Sequence, residues 1–543
     1  MDLQTNDHRA SEKAVPTQEP KFWDDDSGID PENEITGPRL LLVHAALCLC
    51  TLLVGLDFNL IATAVPVITS QFNSIGDVGW YGGAFYIALC ASQPLAGKTF
   101  TLFAKRRTYL TYVAIFEVGS LVCALAPSSP VLIVGRAIAG VGASGIFAGG
   151  LVILTTVIPL HKRAIWTGTM NATFVVASVI GPVVGGALTQ HVTWRWCFYI
   201  NLPIGAFSIA VFMLFFHNKP AATETGRLLQ KLKTLDGIGF ILFAGAVAML
   251  LLALQLGGTS AQYAWDSSRI IGMFVGCGAT MAVFVAWQIH LQDSALIPPR
   301  LFVNRNTPLI FASAVFSNGP FQCIVYWLPI WFQAVLEVSP TASGVRYLPT
   351  VIADVVTSIL GSALVTYWGW WNPFLAFGMA MISLGGGLLS TIHPGISDGH
   401  WIGYQILAGI GYSLAVNMAH VGVQASLPAS LVPLGATTLL FVISASCAIF
   451  LAVSQAVFQA RLTTSLAGVV SQDTVDRILA VGATNIRSVV SPDDQVLVLD
   501  AYSKTITQIF YLPAGAAALS FIFISVTRWI SIRKTKSKET SSA

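Results

Sequence analysis

Gly135-Arg136-Ala137-Ile138-Ala139-Gly140-Val141-Gly142-Ala143-Ser144-Gly145-Ile146-Phe147-Ala148-Gly149-Gly150 holds one charge and six glycines in sixteen residues. It lies within an apolar run from 131 to 157, longer than the about 20 residues a helix needs to cross a bilayer core of about 30 Å. Small residues let membrane helices approach closely. A charge within such a helix is costly and marks function by default. Helical spacing puts Arg136, Gly140, Ser144 and Phe147 on one face. The stretch therefore predicts a helix buried among others, with its arginine on a smooth seam.

Working outward, comparable runs recur fourteen times, near 40–68, 79–100, 108–126, 131–157, 165–188, 196–217, 236–256, 269–289, 307–330, 342–367, 372–393, 401–425, 435–457 and 505–527. The whole chain agrees: 54% of its 543 residues are hydrophobic, 10% are charged, and mean hydropathy is +0.70. A soluble fold with about 25% charged residues is excluded, as is a long disordered chain. The expected fold class is an all-α polytopic membrane protein with 14 transmembrane helices. The net charge of +3 gives no reason to expect a nucleic-acid partner. Cys48, Cys50, Cys90, Cys123, Cys197, Cys277, Cys323 and Cys447 all fall in apolar stretches with no CxxC pair. They are expected to be small buried hydrophobes, with no metal site. The sequon Asn171-Ala172-Thr173 sits in an apolar run and is expected to be unused.

Lysine and arginine set the expected orientation. With both termini cytoplasmic, cytoplasmic loops and the C-terminal tail hold seventeen: Lys98, Lys105, Arg106, Arg107, Lys162, Arg163, Lys219, Arg227, Lys231, Lys233, Arg300, Arg305, Arg528, Arg533, Lys534, Lys536 and Lys538. Short outside loops hold two, Arg195 and Arg269. That bias places basic loops in the cytoplasm, and an odd span count would put the basic tail outside. Residues 1–38 carry ten acidic and three basic residues and read as a solvated tail without a signal sequence.

Away from the ends of the runs lie four charges, Asp57, Glu117, Arg136 and Asp354, while Arg346 sits near the outer end of its run. Each of the four is a proton-coupling candidate, because buried carboxylates in membrane bundles serve as proton carriers and pair with buried cations. The structural alternative, an Asp57–Arg136 ion pair that orders the helices, weighs about equally. Gly181-Pro182-Val183-Val184-Gly185-Gly186 combines a small-xxx-small pair with a helix-kinking proline; close packing is the plainer reading. Gly97 to Arg107 ends in Lys105, Arg106 and Arg107. That cluster suits a cationic latch at helix ends, or simply the positive-inside bias.

Together these motifs resemble the major facilitator superfamily, and within it the fourteen-span drug:proton antiporter branch. Leu56-Asp57-Phe58-Asn59-Leu60-Ile61-Ala62-Thr63-Ala64-Val65-Pro66 resembles that branch's first-span L-D-x-T-I-V-N-x-A-x-P signature. Gly97–Arg107 resembles the loop motif between spans 2 and 3, Arg136–Ser144 the span 4 motif, and Gly181–Gly186 the antiporter motif of span 5. The run Trp194–Gly205 is similar to one in the same branch, and the region Tyr326–Arg346 especially resembles fungal exporters of toxins and secondary metabolites. The resemblance covers about residues 39–530. The loop motif departs from the pattern: its usual aspartate is Thr101 and its second glycine is Ala104, so only the cationic end carries over. The glutamine common in span 4 is Ala139, and the signature's Thr and Asn are Asn59 and Ala62.

The resemblance implies the major facilitator fold, two six-helix bundles plus two linker helices. The expected divisions are a disordered cytoplasmic tail 1–38, an N-terminal bundle 39–217, a connector with two extra peripheral helices 218–306, a C-terminal bundle 307–530 including an outer loop 458–504, and a basic tail 531–543. Partial helix is expected around Val475, Ile478 and Leu479 of that loop. It implies proton-coupled export of small amphipathic compounds by rocking of the bundles around a central cavity. Expected cavity residues are Asp57, Asn59, Arg136, Asn171, Phe316, Asn318, Gln322, Tyr326, Gln405, Tyr412 and Asn417. Expected gating positions are Gly97, Lys105, Arg106, Arg107, Gly140, Gly181, Pro182, Gly185 and Gly186.

No G-x-x-x-x-G-K-[ST] occurs, since Ser92 stands where the first glycine would precede Gly97-Lys98-Thr99. ATP-driven pumping is therefore not expected, and the proton gradient replaces any cofactor. No G-x-S-x-G or H-E-x-x-H lies in a span, so an enzyme is not expected. Uptake or vacuolar transport of a siderophore–iron complex or an amino acid, and a non-transporting sensor, remain as alternatives. The expected partners are a small amphipathic substrate, protons and the lipid bilayer, with the chain a monomer in the plasma membrane or, alternatively, a vacuolar or vesicle membrane.

Overall fold

The computed structural model describes residues 37–72, 77–216, 234–257, 263–338, 340–466, 470–471, 490 and 494–532. The expected tails 1–38 and 531–543, the first part of the connector (218–235) and the expected helix at 475–479 lie wholly or mainly outside them. Helices run α1 Gly37–Phe72, α2 Val78–Leu102, α3 Lys105–Ala124, α4 Ser129–Val157, α5 Leu160–His191, α6 Trp196–Tyr199 and α7 Asn201–Phe215. They continue as α8 Gly237–Leu256, α9 Ser268–Leu291, α10 Asn306–Leu336, α11 Pro340–Trp368, α12 Asn372–Leu389, α13 Asp398–Ser426, α14 Val432–Leu466, α15 Gln495–Ile509 and α16 Tyr511–Ser525. Eleven of these segments, with α6–α7 and α15–α16 each taken as one, are long and apolar enough to cross a membrane. Among the described residues no strand forms, and one isolated bridge joins Trp370 to Ser531.

Every apolar run read from the sequence falls on helix, with two departures. The last run starts ten residues early, because Val498, Tyr502, Ile506 and Ile509 form a buried stripe at helical spacing. Trp331 Nε1 donates to Ser503 Oγ from across the packed face at 2.9 Å. Since α14 also extends to Leu466, the expected loop 458–504 shrinks from both ends. The sixth run is two helices, α6 and α7, meeting at Ile200.

Helices α1–α7 pack on one another and share the cores around Leu47, Phe116 and Ala143, and around Leu60 and Phe198. Helices α10–α16 share a larger core around Trp327, Trp331 and Met379. Seams of α5 on α11 and of α2 on α14 join the two groups. Helix α8 packs on both α2 and α14.

Asp236 caps α8. Its carboxylate accepts from Gly239 N, Trp287 Nε1, Gln288 Nε2 and Leu296 N at 2.7–3.2 Å. Beside it, buried Lys98 donates to the Ser294 and Ala295 carbonyls. Burial alone would raise the Asp236 carboxyl, but these four donors favour the ionised form and hold it below the usual carboxylate value. A depressed folded-state value means the stabilisation is present above the ordinary aspartate range and lost as pH falls through the folded value. Asp236→Ala is expected to cost about 2 kcal/mol. Thermal melting of the purified protein checks this: the gap from wild type should close in acid, and equal melting at neutral pH would show that the cap contributes nothing.

Candidate functional site

Helix α4 carries Arg136 into the first group, where none of it meets solvent. Its Nη1 donates to Asp57 Oδ2 of α1 at 2.5 Å, and its Nε to the Tyr81 carbonyl of α2 at 2.8 Å. The guanidinium also sits over the Phe85 ring, 4.4 Å from its centroid, a favourable cation–π placement. Asn201 at the start of α7 donates to Asp57 Oδ1 at 3.3 Å and to Ser120 Oγ of α3 at 3.1 Å. Five helices are thereby tied at one pair of charges. Glu117, three residues before Ser120, presses against Gly205 of α7, and neither carboxylate oxygen has a hydrogen-bond partner among the described residues.

Beside this cluster lies a cavity of about 850 Å³ between the two helix groups. Phe58, Phe85, Tyr86, Phe147, Phe174, Tyr326 and Tyr412 give it aromatic walls. Tyr412 stacks on Phe321 with centroids 4.0 Å apart. Amides come from Asn59, Gln93, Asn171, Gln322, Asn417 and Gln455, and one carboxylate from Asp354. Among the described residues no lysine or arginine lines it. Apolar walls with a few convergent polar groups suit amphipathic organic molecules.

The cavity is closed toward the end bearing the basic loop 103–107. One turn beyond Gln93, a Cβ on Gly97 would strike Thr437 of α14. Before Asn171, a Cβ on Gly168 would strike the Ser358 carbonyl and Ser362 Oγ of α11. At the opposite end Gly82 lines the cavity and a Cβ there would meet nothing within 4 Å. The two groups therefore touch on the basic-loop side; toward the other end Tyr86 still donates to the Ser444 carbonyl of α14 at 2.6 Å, and one turn further Gly82 faces open space.

A family model described as the Major Facilitator Superfamily matches residues 47–452. The chain belongs to this superfamily. It is 42% identical over 494 residues to the efflux pump roqT of Penicillium rubens, covering 90% of this chain and 91% of that protein. It is 39% identical over 498 residues to the MFS-type transporter astH of Aspergillus oryzae, covering 91% and 87%. The human organic anion transporter MFSD10 superposes with a TM-score of 0.56 at 12% identity, covering 90% of this chain and 100% of that one. The xylose symporter XylE gives 0.56 at 12% identity, covering 91% and 97%. The solved structures speak for the fold alone. This superfamily chain is a multi-pass membrane transporter and not an enzyme.

Of the expected cavity residues, Asn59, Asn171, Gln322, Tyr326, Tyr412 and Asn417 line the cavity of this transporter, as does Asp354. Five expected there are elsewhere. Asp57 and Arg136 are sealed into the five-helix cluster. Phe316 packs on Phe450 and Phe523. Asn318 turns back to the Ala314 carbonyl and Ser317. Gln405 bonds Thr350 Oγ1 and the Arg346 carbonyl. Apart from Phe316, the polar group in each case found a partner within the protein, which apolar spacing alone does not reveal. The linker helices are not wholly peripheral, because Leu251 and Leu254 of α8 reach the cavity.

The gating positions divide. Gly97 faces the other helix group, as above. A Cβ on Gly140 would strike the Phe85 carbonyl and one on Gly181 would press on Asn59, both within the first group. Gly185 accepts from Cys197 Sγ, while a Cβ on Gly186 would meet nothing within 4 Å. Arg106 donates to the Met213 carbonyl at 2.5 Å, and Arg107 is exposed. Lys105 begins α3. The Pro182 side chain lies outside the described residues.

Sequence reasoning missed Phe85, Tyr86, Phe147, Phe174, Ser413 and His420 in the lining and Asn201 on Asp57. A signal existed. Thr350, Asp354, Ser358 and Ser362 recur every fourth residue on α11, as do Gln405, Gly409, Ser413 and Asn417 on α13. Three polar contacts between α11 and α13 follow that register: Thr350–Gln405, Ser413–Asp354 carbonyl and Asn417–Ser358.

Proposed function

We propose that this transporter exports small amphipathic organic compounds, such as a secondary metabolite, toxin or drug, in exchange for protons. The observation that carries the reading is the aromatic and amide-lined cavity with Asp354 in its wall, closed toward the basic loop and open at the other end. The relatives named efflux pumps support the direction. Fourteen crossings follow if α2, α3 and α5 also span: each has 20 residues or more and packs beside the apolar helices α1 and α4. With basic loops and both termini cytoplasmic, the cavity opens outward. Asp354 is then the proton acceptor reached from outside, and Asp57, Arg136 and Glu117 form the second charged element. About 100 mV supplies about 2.3 kcal/mol per proton charge, enough for about fifty-fold accumulation. The plasma membrane is the proposed site of action.

The test is efflux of a panel of fluorescent amphipathic dyes, rhodamine 6G among them, from cells lacking their own pumps. Expected is export that collapses with a protonophore and falls about ten-fold in Asp354→Asn. Export indifferent to the protonophore would sink proton coupling. Net uptake of the dyes would reverse the direction.

A further inference from the structure

The cavity floor is built from three helices joined through side chains. Asn171 Nδ2 of α5 donates to Asn417 Oδ1 of α13 at 2.5 Å. Asn417 Nδ2 donates to Ser358 Oγ of α11 at 2.9 Å, and Ser358 Oγ donates to the Gly168 carbonyl of α5 at 2.6 Å. The path starts and ends on α5, within one turn, after crossing two helices of the other group. Only a glycine at 168 allows α5 to lie this close to α11. Asn171 and Asn417 also face the cavity. The same two amides therefore bind the halves together and present a donor and an acceptor to whatever occupies the cavity.

We infer that the Asn171–Asn417 pair is a ligand-displaceable bond, the floor subsite for an aromatic compound carrying a hydrogen-bond donor beside an acceptor, such as a lactam. Its use in export rests on the function proposed above; the bond itself does not. Parting the floor without a ligand gives up this bond, at a cost of about one net hydrogen bond. A lactam edge satisfies both amides while α5 moves away from α11 and α13. A ligand shifts an equilibrium only by binding one state better, and here the parted floor is the state that frees both amides for it. The same ring system with its N–H methylated lacks the donor and cannot replace the bond.

The experiment is hydrogen exchange by mass spectrometry on the full chain in nanodiscs, reading α5 at 160–170 and α11 at 358–368. The variants are Asn171→Leu and the milder Asn171→Ser, whose side chain is too short to reach Asn417. The probes are quinolin-2(1H)-one and its N-methyl derivative, with binding followed by tryptophan fluorescence. Both variants should raise exchange in the two segments about five-fold without ligand, the size of one net hydrogen bond. In wild type the lactam should raise it similarly and the N-methyl compound should not. Unchanged exchange in both variants overturns the bond's role. Equal response to the two probes, or binding by neither, overturns the subsite. If the exchange results hold and no dye is exported from cells, the bond stands and the export reading fails.

Discussion

Arg136→Leu is expected to lower the folded yield and melting temperature more than any neutralisation of Asp57, with a cost of about 3–5 kcal/mol. The reason is asymmetry. Removing the guanidinium takes its cationic partner from the buried Asp57 and leaves Asn201, at 3.3 Å, as its side-chain donor among the described residues. Asp57→Asn leaves Arg136 its bond to the Tyr81 carbonyl and its place over Phe85, and an amide oxygen can still accept from Nη1. The double variant Asp57→Asn with Arg136→Leu should recover much of the loss, because no charge is then left buried without a counterpart. Thermal melting of the three detergent-purified variants, with dye efflux measured in parallel, gives the coupling energy directly. A single Arg136→Leu that melts like wild type would mean the pair does not order these helices. If Asp57→Asn melts near wild type yet exports nothing, the aspartate has a role in transport beyond holding the arginine. Equal losses in melting and export assign the cluster to structure and leave Asp354 as the coupling group.

The legible and the hidden parts of this chain divide along physical lines. The helices were legible because crossing a bilayer demands about 20 apolar residues and nothing else satisfies the backbone there. The Asp57–Arg136 pair was legible as two charges that had to find each other. Its location was not, since apolar neighbours surround a charge equally in a cavity wall and in a sealed cluster. The face shared by Arg136, Gly140, Ser144 and Phe147 was read correctly as one surface: Arg136 and Gly140 meet α2, and Phe147 reaches the cavity. What period alone could not show is which partner each polar group takes. Asn318 and Gln405 look like cavity amides until Ala314, Thr350 and Arg346 are found at bonding distance. Aromatic lining residues such as Phe174 and Tyr86 were invisible for a simpler reason, since in a membrane helix a phenyl ring is as much at home against lipid as in a cavity.

Two glycine substitutions should separate fold from gate. A Cβ on Gly142 would strike the Phe116 backbone nitrogen, and one on Gly119 would strike that of Ala139. Helices α3 and α4 are thus in backbone contact at two places inside one group. Neither can yield without moving the whole helix, so Gly142→Val is expected to cost more than about 3 kcal/mol and to melt well below wild type. Gly97 is equally tight, but its obstacle is Thr437 on the opposite group. A valine there can be accommodated by parting the groups, with each core intact. Gly97→Val should therefore melt within a few degrees of wild type, lose dye export, and hold the cavity open on the basic-loop side. Cys447 lines the cavity and reports its direction. A membrane-impermeant thiol reagent, with the modified site read by mass spectrometry, should label it in wild type only from the face opposite the basic loop. In Gly97→Val the labelling should move to the basic-loop face. If Gly97→Val instead melts as low as Gly142→Val, the α2–α14 seam is part of the permanent core and not a surface at which the halves separate.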